Sequence, residues 1–223
     1  MRSFCALWIA SVFFLLLAGC STVQEREQLI TGINVEYMNA EFEVVSRPDL
    51  PQEVVVQFTI IPGGLYGIPL TDSQYLDVIQ IGSSINADFR DLERRIASFA
   101  TPMLNTEANM GLSISPKETR LARFGTFTYD LNTREGLGAT GFGSPDPEIF
   151  ALVLTYFDRP AEIRGIQNIE GEIADFNINV ERAGLVWLKV KKKSKDHFSY
   201  SVLETPSEAF LLIHPQEPGY TEI

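Results

Sequence analysis

Apolar residues alternate with polar ones through much of the chain from Glu41 onward, and a chain patterned with a period of two folds into half-buried strands. In "EVVVQFTII" the side chains of Val54, Val56, Phe58 and Ile60 share one face. In "DFNINVE" Phe176, Ile178 and Val180 alternate with Asn177, Asn179 and Glu181. The turn residues "ERAG" join this segment to "LVWLKVKKK", so the two read as a hairpin. "HFSYSVL" follows as a further strand with Phe198, Tyr200 and Val202 on one side. "FALVLTYF" and "AFLLI" are continuous apolar runs too short for ordinary helices, and are expected as strands covered on both faces.

One segment carries a different period. In "SSINADFRDLERRIASFATPML" the residues Ile85, Phe89, Leu92, Ile96, Phe99 and Met103 recur at intervals of four and three, with Ser84 or Asn86 as N-cap and Pro102 as terminator. This predicts an amphipathic helix over about 86–101. Its polar face mixes Asp88, Asp91 and Glu93 with Arg90, Arg94 and Arg95, unlike the basic face of a lipid-seeking helix. Packing on a sheet is therefore expected. "TDSQYLDVIQ" reads either as a short helix with a capping box at Thr71 and Gln74 or as a strand. The fold class that follows is mainly β, with sandwich or meander-type sheets and one amphipathic helix packed on a sheet. The Gly/Pro-rich stretch "GLGATGFGSPDP", residues 136–147, suggests a boundary near residue 145. It would separate a β-rich region with the helix, 40–144, from a C-terminal β-sandwich-like region, 145–223, though 40–223 also reads as one domain.

The N-terminus is not patterned for a fold. Arg2 precedes an apolar run from Phe4 to Ala18, and polarity returns abruptly in "STVQEREQ" with no stop-transfer cluster of Lys or Arg. A basic head, an apolar middle and small residues at the end read as a secretory signal, and the run is shorter than the roughly 20 residues a spanning helix needs. Leu17-Ala18-Gly19-Cys20 resembles the lipobox of bacterial lipoproteins. The resemblance covers the first tenth of the chain, and implies a signal peptide over 1–19, cleavage before Cys20 and a lipid on that cysteine. Ser21, which is not Asp, implies sorting to the outer membrane. Residues 20–39 then read as a lipidated N-terminus and polar tether. Cys5 leaves with the signal, and a lone cysteine at a chain end forms no internal disulfide and no structural zinc site unaided. Two or more acyl chains are needed for stable anchoring.

Charge limits the partners. The chain has 18 Lys and Arg against 29 Asp and Glu, a net charge of −11, and loss of Arg2 with the signal would make it −12 over the remaining 204 of 223 residues. Phosphate binding rests on basic surface, so nucleic acid is not expected as a partner.

No catalytic motif emerges. Gly136, Gly138 and Gly141 spell G-x-G-x-x-G, but a dinucleotide site needs these glycines to open a helix, whereas Pro145 and Pro147 follow at once. "PGGLYG", residues 62–67, is expected as a turn. There is no G-x-S-x-G elbow. The histidines are only His197 and His214, with no H-x-x-x-H, so no metal or cofactor is expected. A Ser-His-acid site assembled in space stays open. Asp130, Asn132 and Glu135 in "DLNTRE" lack the glycine of a calcium loop and read as a hairpin end. Asp146 and Glu148 flank Pro147, and would act as a glycosidase pair only if held apart across a sugar.

The least ordinary stretch is "KVKKKSKDH". Lys189, Lys191, Lys192, Lys193 and Lys195 are five cations within seven positions of an acidic chain. Strand alternation would send Lys189, Lys191, Lys193 and Lys195 to one face, opposite Val186, Leu188 and Val190. Two readings compete: a contact for anionic envelope polymer or lipid headgroups, and lysines that guard a strand edge against stray pairing. Together these features lead to the expectation of a lipid-anchored protein of the bacterial cell envelope, at the outer membrane and facing the periplasm. It would act as a non-enzymatic binding or assembly accessory, held to the membrane by its lipid and meeting another envelope protein or an anionic polymer. The alternative is an envelope hydrolase acting on glycan or ester, with its site near the Gly-rich loops.

Overall fold

The structure is a computed structural model that describes residues 32–39, 43–63, 75–86, 89–103, 111–169, 171–204 and 209–215. Within them the chain runs β1 (Gly32–Met38), β2 (Val44–Val45), β3 (Glu53–Pro62), β4 (Tyr75–Gln80), β5 (Ser84–Asn86), α1 (Phe89–Ala97), β6 (Thr101–Pro102) and β7 (Leu112–Ser115). It continues through β8 (Arg120–Asp130), β9 (Gly136–Gly143), β10 (Ala151–Phe157), β11 (Ala161–Ile169), β12 (Glu172–Val180), β13 (Gly184–Ser194), β14 (His197–Leu203) and β15 (Ala209–Pro215). The protein is mainly β, with one helix among the described residues. The expected signal peptide, Cys20 and residues 20–31 of the expected tether lie outside them.

These strands form one mixed sheet in the order β2-β1-β15-β9-β8-β10-β13-β14-β12-β11-β7. Only β1–β15 and β12–β14 pair in parallel. β8 is the branch point. One edge of it pairs with β3 from Ala122 to Asp130, and β4 lies beyond β3. Its other edge meets β10 at Leu121 to Arg123 and β9 at Thr128 and Tyr129. β9 and β10 also pair with each other, Leu152 opposite Phe142.

Two cores result, on opposite faces of β10 and β13. Leu152, Leu154, Leu185 and Trp187 belong to the first, with Ile33, Val56, Phe58, Ile60 and Phe142. Phe157 and Leu188 belong to the second, with Ile163, Phe176 and Ile178. Trp187 and Leu188 are adjacent in sequence and both fully buried, which is why β10 and β13 read as near-continuous apolar runs. Full burial of side chains this size contributes about 1.5–3 kcal/mol each. Phe142 sets its ring edge against Trp187 at a centroid distance of 5.3 Å and stacks on Phe58 at 6.3 Å, joining β9, β13 and β3.

α1 packs Leu92 and Ile96 into the first core, over β8, β10 and β13, as its amphipathic pattern requires. It is shorter than the expected 86–101. Ser84 to Asn86 form β5, which pairs with β1, so their backbone is taken by a sheet edge and cannot start the helix. At the other end Thr101 and Pro102 pair with β8. Of "TDSQYLDVIQ", residues 75–80 are strand β4, and 71–74 lie outside the described residues.

Three further differences are informative. The stretch assigned to a tether over 20–39 contains β1, whose Ile33, Val35 and Tyr37 are buried in the first core; a polar local context hid a short alternating strand. β12 and β13 are not a hairpin with each other. β14 lies between them, antiparallel to β13 and parallel to β12, and the short connection Glu181–Ala183 passes beyond the end of β14. Residue 145 falls in the β9–β10 connection, and strands on either side of it are hydrogen-bonded neighbours: β8 with β10, β9 with β15 and β1 with β15.

Close approach decides one glycine. Gly165 in β11 has φ +141°, and a Cβ there would lie 2.1 Å from the carbonyl oxygen of Gly111. Only glycine lets the start of β7 lie against β11 at this point.

Candidate functional site

The half of the sheet formed by β13, β14, β12 and β11 buries one face in the second core and leaves much of the other exposed. The exposed face follows from register. Ile166, Asp175, Ser199 and Lys191 form one cross-strand row, since Ile166 pairs with Asp175, Asp175 with Ser199 and Ser199 with Lys191. Two residues along, Arg164 pairs with Asn177 and Lys189 with Ser201. At the strand ends Asn168, Ile173 and His197 make a third row. Partners directly opposite share a face.

Side-chain length shapes this face. β14 contributes Ser199 and Ser201, the shortest of each row, while β13 on one side contributes Lys191 and Lys189 and β11 on the other contributes Ile166 and Arg164. A shallow trough therefore follows β14. It encloses about 530 Å³, with Arg164, Ile166, Asp175, Asn177, Ser199 and Ser201 among its lining and Lys193 at its end. Ile166 is 63% exposed and Ile173 38% exposed, an apolar rim on an otherwise polar surface.

The lysine run lies at this site. Lys189 and Lys191 point to the trough face, opposite Leu188 and Val190. The expected alternation stops there, because β13 bulges between Lys192 and Ser194 and Lys195 sits in the turn before β14. A bulge re-aims side chains, and Lys193 turns across β14 to Asp175. Its Nζ lies 2.6 Å from Asp175 Oδ2, and His197 Nε2 lies 3.0 Å from the same oxygen. These two hydrogen bonds, the lysine's first, hold the Asp175 carboxyl below its ordinary pKa. Lys191 Nζ is 2.6 Å from Glu148 Oε2 in the β9–β10 connection, and this bond holds the Lys191 ammonium above the usual lysine value. Lys192 Nζ stands 5.6 Å from the centroid of the Phe150 ring, a cation–π distance. Phe150 in turn packs on Phe198 at 5.2 Å and donates its amide to Val190 O at 2.8 Å. Lys189 and Lys195 form no ion pair among the described residues.

Two features that are separate in the sequence, the lysine run and the Pro-flanked acids, are thus in contact. Glu148 reaches Lys191, while Asp146 accepts the Glu148 amide at 3.0 Å as a turn-forming residue. The glycines of G-x-G-x-x-G lie along β9, in a strand and not at a helix start. Asp130 accepts the amides of Asn132 and Thr133 at 2.7 and 2.8 Å, and caps the β8–β9 turn where Arg134 takes φ 63°. His214 lies on β15 opposite Ala139, on a different strand from His197. Of "PGGLYG", residues 64–67 lie outside the described residues.

The element that sequence reasoning missed is Asp175. Its position in "DFNINVE" marks it only as outward-facing, and nothing local says that β14 will be its neighbour. His197 and Asp175, with Ser199 beside them, form the one acid–imidazole pair of the described face. A hydrolytic triad needs the serine hydroxyl on the second imidazole nitrogen. Ser199 makes no such bond here, and Lys193 shares the acid's oxygen. No group of three or more His, Cys, Asp or Glu fit to hold a metal occurs among the described residues. Comparison with protein-family models, curated proteins and solved structures found no match to this chain.

Proposed function

We propose that this chain is a lipid-anchored protein of the bacterial cell envelope, held at the outer membrane through Cys20, whose β body acts as a binding or assembly accessory. The observation that carries the binding half is the open face of β13, β14, β12 and β11. It combines a trough of short polar side chains, a lysine wall and an exposed apolar rim, in a layout suited to contact with an extended partner. The lysines are the cationic contact for anionic groups in this reading. The anchoring half rests on Leu17-Ala18-Gly19-Cys20. Cys20→Ala should abolish incorporation of labelled fatty acid and leave the precursor uncut; labelled mutant protein would refute the anchor. Binding of the wild type to anionic vesicles or purified cell-wall polymer should weaken steeply between 0.1 and 1 M salt, over which screening shortens from about 10 Å to about 3 Å.

The second reading, an envelope hydrolase, draws on the His197–Asp175 pair beside Ser199. It requires closure of the Ser199 hydroxyl onto the free ring nitrogen of His197. Turnover of ester or glycan substrates that is lost in both Ser199→Ala and His197→Gln would favour it over the binding reading.

A further inference from the structure

The trough along β14 has a width, a charge and a hydrogen-bonding character that together narrow its occupant. Its floor spans from β13 to β12, two strand spacings or about 10 Å, the width of a single extended chain. Five cations (Lys189, Lys191, Lys193, Lys195 and Arg164) stand on or beside it, Lys192 being turned with its register partner Phe198 to the opposite face, against four carboxylates (Asp175, Glu148, Glu162 and Asp196). This local surplus of one positive charge sits on a chain of net charge −11, and favours an anionic occupant. Along β14 and at Asn177 the floor is uncharged. Ser199 and Ser201 offer hydroxyls that donate and accept, and Asn177 offers an amide that does both.

A peptide is poorly served by such a floor. The backbone of β14 is hydrogen-bonded on one edge to β13 and on the other to β12, so a peptide lying on the face would find no ladder for its main chain; strand addition needs an edge. A saccharide carries its hydroxyls outward, and each can both donate to and accept from the serine and asparagine side chains. Ile166 then presents a methyl-rich wall to the C–H face of a sugar ring.

Resting on the reading of this face as a binding surface, we propose that the trough along β14 binds an extended carboxylate-bearing glycan. The sugar carboxylates lie against Lys189 and Lys191, spaced about 6.7 Å apart along β13, and the sugar hydroxyls lie on Ser199, Ser201 and Asn177. Asp175 keeps Lys193 turned across the end of the trough, and closes it on that side.

The test uses the full chain in detergent micelles and three probes: a hexameric uronate oligosaccharide, a neutral hexamer of N-acetylglucosamine, and polyglutamate of matched charge. The uronate should bind at least tenfold tighter than the neutral hexamer and tighter than polyglutamate. The double variant Ser199→Tyr/Ser201→Tyr fills the trough and keeps every lysine. It should lose tenfold or more in uronate affinity and keep its polyglutamate affinity, which also reports that it is folded. Asn177→Ala, a milder change at an exposed position, should lose several-fold for uronate alone. If uronate and polyglutamate bind alike, or if the filled variant binds uronate as the wild type does, the glycan proposal is overturned while the lysine contact stands. If no polyanion binds, both fall.

Discussion

Lys191 and Glu148 meet at 2.6 Å across 43 residues of sequence, and fasten the β9–β10 connection to the lysine-bearing strand. The pair is exposed, and its consequence lies in charge more than in stability. Glu148→Gln should strengthen salt-sensitive binding to polyanions by releasing Lys191, with little change in thermal midpoint. An unchanged salt dependence would mean that Lys191 is not part of the contact.

Asp175 joins Lys193 and His197 through one carboxylate oxygen, and its titration should report the cluster. Its folded pKa is depressed, first by Lys193 and then by His197. The stability it contributes is therefore present above its unfolded pKa of about 3.9 and is lost as pH falls through the lower folded value. In Lys193→Gln the carboxyl resonance of Asp175 should titrate at higher pH than in the wild type, measured by NMR. A midpoint that does not move would show that Lys193 is not its partner in solution.

Tyr37 should limit stability at the alkaline end. Burial, first, and the nearby Asp130 charge push its hydroxyl up to about 12, and the hydroxyl donates to Pro51 O at 2.8 Å. A group with a raised folded pKa contributes stability that is full below the unfolded value of about 10 and disappears as pH rises through the folded one. Wild type should lose urea resistance between these limits. Tyr37→Phe should start about 1 kcal/mol less stable and lose less over the same range.

The helix should be indispensable. Ile96 is fully buried and Leu92 nearly so, both in the first core. Ile96→Ala should cost about 2–5 kcal/mol. Leu92→Asp, which places an uncompensated carboxylate there, should prevent folding or cost more than about 3 kcal/mol by chemical denaturation. Wild-type stability in either variant would mean that α1 does not pack on β8, β10 and β13.

Gly165→Ala tests the sheet edge. An added methyl cannot fit against Gly111 O, so β7 should detach from β11. Amide exchange in residues 112–115 should accelerate while that of β13 stays slow. Protection that persists in β7 would refute the close approach.

By itself the sequence determined the class of the fold, because period-two alternation is local: Val54, Val56, Phe58 and Ile60 must share a face whatever lies across from them. The same locality made α1 legible from the spacing of Leu92 and Ile96, and β10 legible as a strand buried on both sides. Local pattern also placed Lys189 and Lys191 opposite Leu188 and Val190. What it could not supply is adjacency. Alternation states which side chains seek a core but not which strands lie side by side, and pairing partners are chosen by long-range register. Only the tertiary structure decided that β1, read as tether, pairs with β15, and that β14 inserts between β12 and β13. That insertion sets Ser199 between Asp175 and Lys191, and the bulge after Lys192 turns Lys193 to Asp175. The trough exists because a strand with short outward side chains lies between strands with long ones, a relation among four segments that no single segment encodes.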